Sequence, residues 1–468
     1  GVSFDPTGSG KTVIRAGFEV AYDEVNFFTA QRNEQNPPYA TASNPNTTGQ
    51  LCFSQPWLLG GTGFGCARVG GADTSPYPTP QIPTPATAIF PAQSQYIVLT
   101  PKFHASDTAQ WTASVQHSFP RGWQLQVDYI GNHTSHSPIG FPLNNAVYIP
   151  GVWGAGGTGC DPIAKTGPAS AFTLFKASTY AAGQPCSTTA NQQSRYSLTT
   201  ANPLQGNQYI GGGGGTALVG DFASANYNGL VSSLQHRLSS SFSLLANHTW
   251  SKCLNINDAS GDYAGTSVSD PKNIQRDYGP CGADYRHIEN VILVARSQFG
   301  FSNRIEKMFL DNWEFAPLIH IQSGAPFTVT QGADKSLTAN GNDRANLVPG
   351  VPIYLSTAIR QGSGAANRGY LNPAAFALNA VDGTFGNISR NEFRGKPAYT
   401  VDAQVSRIFP LHESLNLDLR VEAFNMLNHP NFSNPSTSNP ASSNATFGQI
   451  SATSNQARVF QGAVKLTF

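Results

Sequence analysis

An all-β fold, an antiparallel up-and-down barrel of about ten transmembrane strands with long external loops, is predicted by three features of this sequence. The first is alternation. In one late segment Leu415, Leu417, Leu419, Val421 and Ala423 oppose Asn416, Asp418, Arg420 and Glu422, and successive side chains of a strand point to opposite faces. The second is an asymmetry of connections, with short turns and long loops taking turns along the chain. The third is the chain end, the aromatic Phe468 at the close of an amphipathic strand. Alternation is equally at home in a soluble sandwich, so the other two features carry the membrane reading.

Taken in order, the first strand spans residues 12–23, where Ile14, Ala16, Phe18, Val20 and Tyr22 face one way and Arg15 and Glu19 the other. The preceding Gly8, Ser9, Gly10, Lys11 and Thr12 resemble the end of a phosphate-binding loop, but the required first glycine is Asp5 and a strand follows instead of a helix. This stretch therefore reads as a turn entering a strand. Residues 24–106 are rich in Pro, Gly and Thr, and a structureless run of that length suits an external barrel loop better than a compact domain. A hairpin follows, 109–119 and 122–131, across Pro120, Arg121 and Gly122. Its oily face carries Trp111, Phe119, Trp123 and Tyr129, aromatics suited to an interfacial girdle or, alternatively, to a sandwich core.

A second long loop, 132–225, holds five consecutive glycines from Gly211 to Gly215, which read as a flexible connector. The hairpin 226–238 and 242–253 turns over Ser239, Ser240 and Ser241. Loop 254–283 leads to strand 285–299, turn 300–311 and strand 312–322. In that last strand Pro317 lacks an amide hydrogen and needs a bulge or a locally unpaired position. Loop 323–397 precedes strands 399–409, 414–426 and 457–468. Alternating sides back from Phe468 puts every short turn at one end and every long loop at the other, the known asymmetry of outer-membrane barrels. Leu415, Leu417, Leu419, Val464, Leu466, Trp123, Leu125 and Val127 are then expected toward lipid, and Asp418, Arg420, Glu422, Lys465 and Asp128 toward the lumen. Arginine at Leu417, taken as lying near the midplane, is expected to cost about 2–4 kcal/mol, and at Asn416 much less.

Composition agrees. Charged residues are 12% of the chain, about half the usual share of about 25%. A net charge of +1 offers nothing to nucleic acid. No apolar run approaches the roughly 18 residues of a membrane helix, which does not argue against membrane strands. No linker divides the 468 residues, so the chain reads as one unit.

Several segments resemble the C-terminal barrel of Oar-like TonB-dependent outer-membrane receptors. They are Phe393-Arg394-Gly395, the run from Leu419 through Phe424-Asn425-Met426-Leu427-Asn428-His429-Pro430-Asn431-Phe432, and the terminal Phe468. Lys11 to Phe18, Trp250-Ser251-Lys252 and Asp284-Tyr285-Arg286-His287 resemble further strand ends of that family. The resemblance implies a bacterial outer-membrane location. It implies a fragment of a larger barrel whose plug and N-terminal regulatory-like domain lie outside residues 1–468, and it also implies a TonB-type energising partner. The expected function is uptake of a large substrate across the outer membrane; a surface adhesion or structural barrel without transport is the alternative. The substrate is not legible, no cofactor is implied, and no catalytic constellation stands out.

Each of the first three long loops has its own neighbouring cysteines. Cys52 and Cys66 lie in the first, Cys160 and Cys186 in the second, and Cys253 and Cys281 flank the third. In an oxidising compartment these are expected to close as disulfides. No pair has the two-residue spacing of a zinc site. His133 and His136 are three apart, and a shared metal is the alternative to plain solvation. Asp418, Arg420 and Glu422 read as a charge cluster on a lumen-facing strand.

Overall fold

The computed structural model describes residues 1–24, 97–155, 158–160, 181–192, 195–197, 217–236, 242–258, 268–341, 343–355, 369–412, 415–441 and 446–468. Ten long strands form one antiparallel meander: β1 (Thr12–Tyr22), β2 (Asp107–Ser118), β3 (Trp123–Pro142), β4 (Ala217–His236), β5 (Phe242–Asn255), β6 (His287–Arg296), β7 (Trp313–Gln322), β8 (Ala398–His412), β9 (Leu415–Phe424) and β10 (Val459–Thr467). Each pairs with its successor in the chain. The order predicted from alternation is the order observed. The sheet is open, running from Val2–Phe4, paired to β1, across to β10 at the far edge.

Two strands are much longer than the alternation suggests. β3 continues to Pro142 and β4 begins at Ala217, where 132–142 and 217–225 read as loop. These extensions carry Asn132, His133, Thr134, Ser135 and Ser137 on one side and Gly220, Asp221 and Asn226 on the other. They hold together through the interstrand ladder, and their few apolar residues face the outer loops: Ile139 and Ala223 pack with Ile256 and Val268, and Val219 packs with Ile97. The register slips between Thr134 and Ser137 and again before Ile139, and His136 adopts a positive φ of 54°. A short strand, Ile97–Leu99, lies parallel to the start of β4. In the short connection 297–312 the structure adds a helix, α1 (Arg304–Leu310), capped by Asn303, whose Oδ1 accepts from Ile305 N at 2.9 Å. At Pro317 the β6 ladder lapses for two residues without loss of register, the local gap its missing amide hydrogen requires.

Cross-strand register defines the two faces. Leu417 stands opposite Leu466 and Phe409, Val421 opposite Gly462 and Val405, and Val127 opposite Val115. On the other face Asp418 stands opposite Lys465, and Arg420 lies 3.7 Å from Asp418 and 3.8 Å from Glu422. Register thus gathers the apolar set on one face and the charged set on the other. Leu417 is the third residue of the ten in β9 and lies nearer the short turn, whereas Val421 lies nearer the middle of the strand. Two polar intrusions were not anticipated. Arg407 lies between Trp313 and Leu419, its guanidinium 4.4 Å from the Phe409 ring centre. Ser232, His248 and Glu289 make a polar row between Val127 and Ile321. Trp111 lies over Gly131, directly opposite it, where any β-carbon would collide with the indole.

The turn that leads into β1 is held by Asp5. The Asp5 carboxylate accepts from the backbone N–H groups of Thr7 (3.0 Å), Gly8 (3.0 Å) and Gly10 (2.6 Å). Those donors, Gly10 first, hold its carboxyl below the usual range. A protein carboxylate thereby occupies the place that a bound phosphate would need.

Candidate functional site in the outer loops

All five long connections leave the same end of the sheet, and four of them join there into one body. The fourth loop (323–397) has a core of its own: Phe327, Val329, Leu371, Phe376, Ile388 and Phe393 are buried, with Phe447 of the fifth loop among them. Phe376 meets Phe393 and Phe447 edge-on at 5.3 and 5.5 Å. Each buried ring adds roughly 1.5–3 kcal/mol of apolar transfer, so this loop is a small packed unit and not a tether. Backbone bonds then tie the fourth loop to the fifth: Thr330 N to Thr437 O, Asn439 N to Thr330 O, and Tyr370 N to Gly448 O.

Buried arginines join the other loops. The side chain of Arg195, in the second loop, donates to Asn191 Oδ1 (2.7 Å) and to the carbonyls of Val147 (2.6 Å), Thr188 (2.9 Å) and Leu337 (3.1 Å), the last across in the fourth loop. Arg344 of the fourth loop pairs with Asp277 of the third, and both side chains are 5% exposed. The Asp277 carboxylate also accepts from Ser269 N (2.7 Å) and Ser269 Oγ (2.9 Å). Burial pushes the Arg195 and Arg344 guanidinium groups down to about 10, so both stay charged at neutral pH. Arg390 reaches Asp258 at 2.5 Å and the carbonyls of Asn255 (2.6 Å) and Asp277 (2.8 Å). Burial works against the charge of Asp258, yet bonds from Gly282, Asn255 and Arg390 outweigh it and hold its carboxyl below the usual range.

The segments that carried the family resemblance turn out to be joints of this body. Arg394 pairs with the fully buried carboxylate of Asp284, which also accepts from Cys253 N at 2.7 Å. Asn425 and Asn428 take positive φ values of 49° and 51°. The Asn425 side chain ties His429 to the root of the fifth loop, donating to His429 O (3.1 Å) and Gln456 O (3.0 Å). His429 stacks on Tyr399 at 3.8 Å. Asn431 Oδ1 accepts from Tyr399 N at 3.0 Å.

Cys160 and Cys186 are bonded within a buried cluster with Ile149 and Trp153. Cys253 and Cys281 are bonded at the root of the third loop, their Cα atoms 5.4 Å apart. Cys52 and Cys66 lie outside the described residues. For the 28-residue separation of Cys253 and Cys281, chain entropy gives about 3–4 kcal/mol. The backbone ladder from Leu254 to Pro280 already holds the two roots together, so the lower end is expected for Cys253→Ser with Cys281→Ser. Urea unfolding of the variant against the oxidised parent, with non-reducing peptide mapping, measures it.

Between the second, third and fourth loops lies a pocket of about 410 Å³. Tyr148, Ser197, Asp270, Lys272, Thr338 and Phe385 line it. Tyr148 lies across Gly383, whose φ of 79° and lack of a β-carbon admit the ring. Asp270 Oδ1 is engaged by Lys272 N at 2.9 Å. Two aromatic faces, hydroxyls, one ammonium and one carboxylate make a surface for a polar organic ligand; the volume falls within the usual range for such sites. Sequence reasoning pointed to none of these lining residues, because they come from three loops whose pairing is decided by the buried arginines. His133 and His136 do not converge on one point: His133 Nδ1 is bonded to Asn226 Oδ1 at 2.7 Å, and His136 joins other partners.

Residues 1–461 match the family described as outer membrane beta barrel domain. No curated protein matches the sequence. Among solved structures, the outer membrane transporter YddB of Escherichia coli is similar at 7% identity and a TM-score of 0.44, over 100% of this chain and 40% of that one. The ferric-catecholate import receptor Fiu of Escherichia coli is similar at 7% identity and a TM-score of 0.35, over 98% and 33%. For the ferric enterobactin receptor of Pseudomonas aeruginosa the values are 11% and 0.37, over 98% and 38%. The chain spans two fifths or less of the length of these structures.

Proposed function

Because this chain belongs to the outer membrane beta barrel domain family and so lies in the outer membrane, we propose that it is the substrate-capturing, C-terminal part of an Oar-like TonB-dependent receptor that imports a large substrate. The observation that carries this reading is the loop body itself. Loops that merely cap a barrel need no shared core, whereas these are locked by buried ion pairs around a formed pocket at the outer mouth. Preformed capture sites lose less entropy on binding than mobile loops do. In the complete receptor the Tyr148, Phe385 and Lys272 side chains hold the substrate at the mouth, and a plug gates the lumen below.

Transport and adhesion separate in one experiment. Cells carrying the complete receptor are fed labelled medium components, and periplasmic accumulation is followed with and without the TonB-type partner. Import predicts accumulation that is lost when the partner is deleted and falls about tenfold or more, the scale of one lost aromatic anchor, in Tyr148→Ala. Surface binding that persists unchanged without the partner, with no accumulation in either strain, would identify an adhesion barrel instead.

A further inference from the structure

We infer that His104, His136 and Asp221 form a binding site for one divalent cation of the zinc, nickel or copper class at the outer rim of β3 and β4. Three separate segments deliver these groups: the end of the first long loop, the irregular stretch of β3, and β4. Their ligand atoms all lie within 4.8 Å of one another, the one gathering of three metal-ligating side chains among the described residues.

The orientation of the rings is what marks a metal site. His104 Nδ1 lies 2.5 Å from Asp221 Oδ2, and His136 Nδ1 lies 2.6 Å from Asp107 Oδ1. For His136 the Asp107 carboxylate, itself outside the ligand set, keeps the proton on Nδ1 and leaves Nε2 to a metal, the arrangement that orients histidine ligands in metal proteins. Between His104 and Asp221, both ligands, a metal would take the place of the hydrogen bond. The carboxylate of Asp221 is fixed: its side chain is 9% exposed, and it also accepts from the backbone N–H of His104 at 3.1 Å. The imidazoles, 63% and 47% exposed, are free to adjust.

The backbone contributes as well. His136 sits at positive φ inside two register shifts, and such bulges re-aim a side chain out of the strand's alternation. That is why His136 meets His104, with ring centres 5.1 Å apart, and not His133. With bonds of about 2.0–2.1 Å to nitrogen or oxygen, tetrahedral ligand atoms stand about 3.3–3.4 Å apart. Exchange of the His104–Asp221 hydrogen bond for the metal, with rotation of the exposed His104 ring, closes the remaining gap. Two imidazoles beside one carboxylate favour zinc, nickel or copper over magnesium or calcium, which prefer oxygen ligands. A bound ion would fasten the end of the first outer loop to the barrel rim.

The test uses the complete receptor in nanodiscs, stripped with chelator and titrated calorimetrically with Zn2+, with Mg2+ as the control ion. The expected result is one saturable Zn2+ site and no Mg2+ binding. His104→Ala and His136→Ala should each weaken Zn2+ binding about tenfold or more, while His133→Ala leaves it unchanged. Cu2+ bound to the parent should show superhyperfine coupling to two imidazole nitrogens, lost in the double variant. These side chains are solvent-exposed, so folding is not at stake. The absence of saturable Zn2+ binding would overturn the inference. So would a site that survives both substitutions, as one at the neighbouring rings of His248 and His287, 5.5 Å apart, would do.

Discussion

Arg344→Met is expected to undock the third outer loop from the fourth at a cost of about 3–5 kcal/mol, the range for removing one partner of a buried pair. The reason is the state of Asp277 afterwards. Its carboxylate, 5% exposed, would keep the two bonds from Ser269 but lose its counter-charge. Arg344 also bonds the carbonyls of Arg276 (3.2 Å) and Ile388 (3.3 Å), so the loss reaches the fourth-loop core. The companion Asp277→Leu with Arg344→Met should recover most of the cost, since an apolar pair leaves no buried charge. Hydrogen exchange over residues 268–280 and 343–348 in the folded barrel reads both variants. Equal protection in Arg344→Met and the parent would show that the pair does not hold the loops. A double variant no better than the single would show that the packing, and not the charge, was lost.

Val421→Arg is expected to cost about 2–4 kcal/mol in lipid, the price of a cation on the lipid face near the bilayer centre. Val421 is mid-strand, between Val405 and Gly462 on the apolar face. Leu417→Arg, nearer the short turn, should cost less, since the penalty falls toward the interfaces. Gln404→Arg, on the polar face beside Glu422, should be close to neutral. Equilibrium urea unfolding of the complete barrel in lipid vesicles gives all three. If Val421 and Gln404 respond equally, the faces are assigned wrongly.

The placement of the barrel strands was legible because membrane strands carry their environment on their surface. A residue such as Leu419 or Glu422 must match lipid or lumen at its own position, so period-two alternation survives in the sequence and locates β1, β2 and β7 to β10 within a few residues. The side of each connection followed from parity: in a meander, successive turns must fall at opposite ends. The pairing of Cys253 with Cys281 was also accessible, since both sit at the roots of strands that lie side by side.

Where strands leave the lipid this signal stops. The outer ends of β3 and β4 are held by a ladder of backbone bonds that makes no demand on polarity, so Asn132 to Ser137 looked like loop. The helix α1 within a short turn was invisible for a related reason, since seven residues give too little periodicity to distinguish. The pocket among the outer loops was hidden more deeply. Arg195, Arg344, Arg390 and Arg394 are ordinary surface residues by type, and nothing near them in sequence says which carboxylate or carbonyl each will meet. Their partners lie up to 142 residues away, and long-range electrostatic pairing leaves no periodic trace. Local alternation therefore specified the barrel, whereas the pocket of Tyr148 and Phe385 and the His104, His136 and Asp221 cluster exist only once distant loops fold against one another.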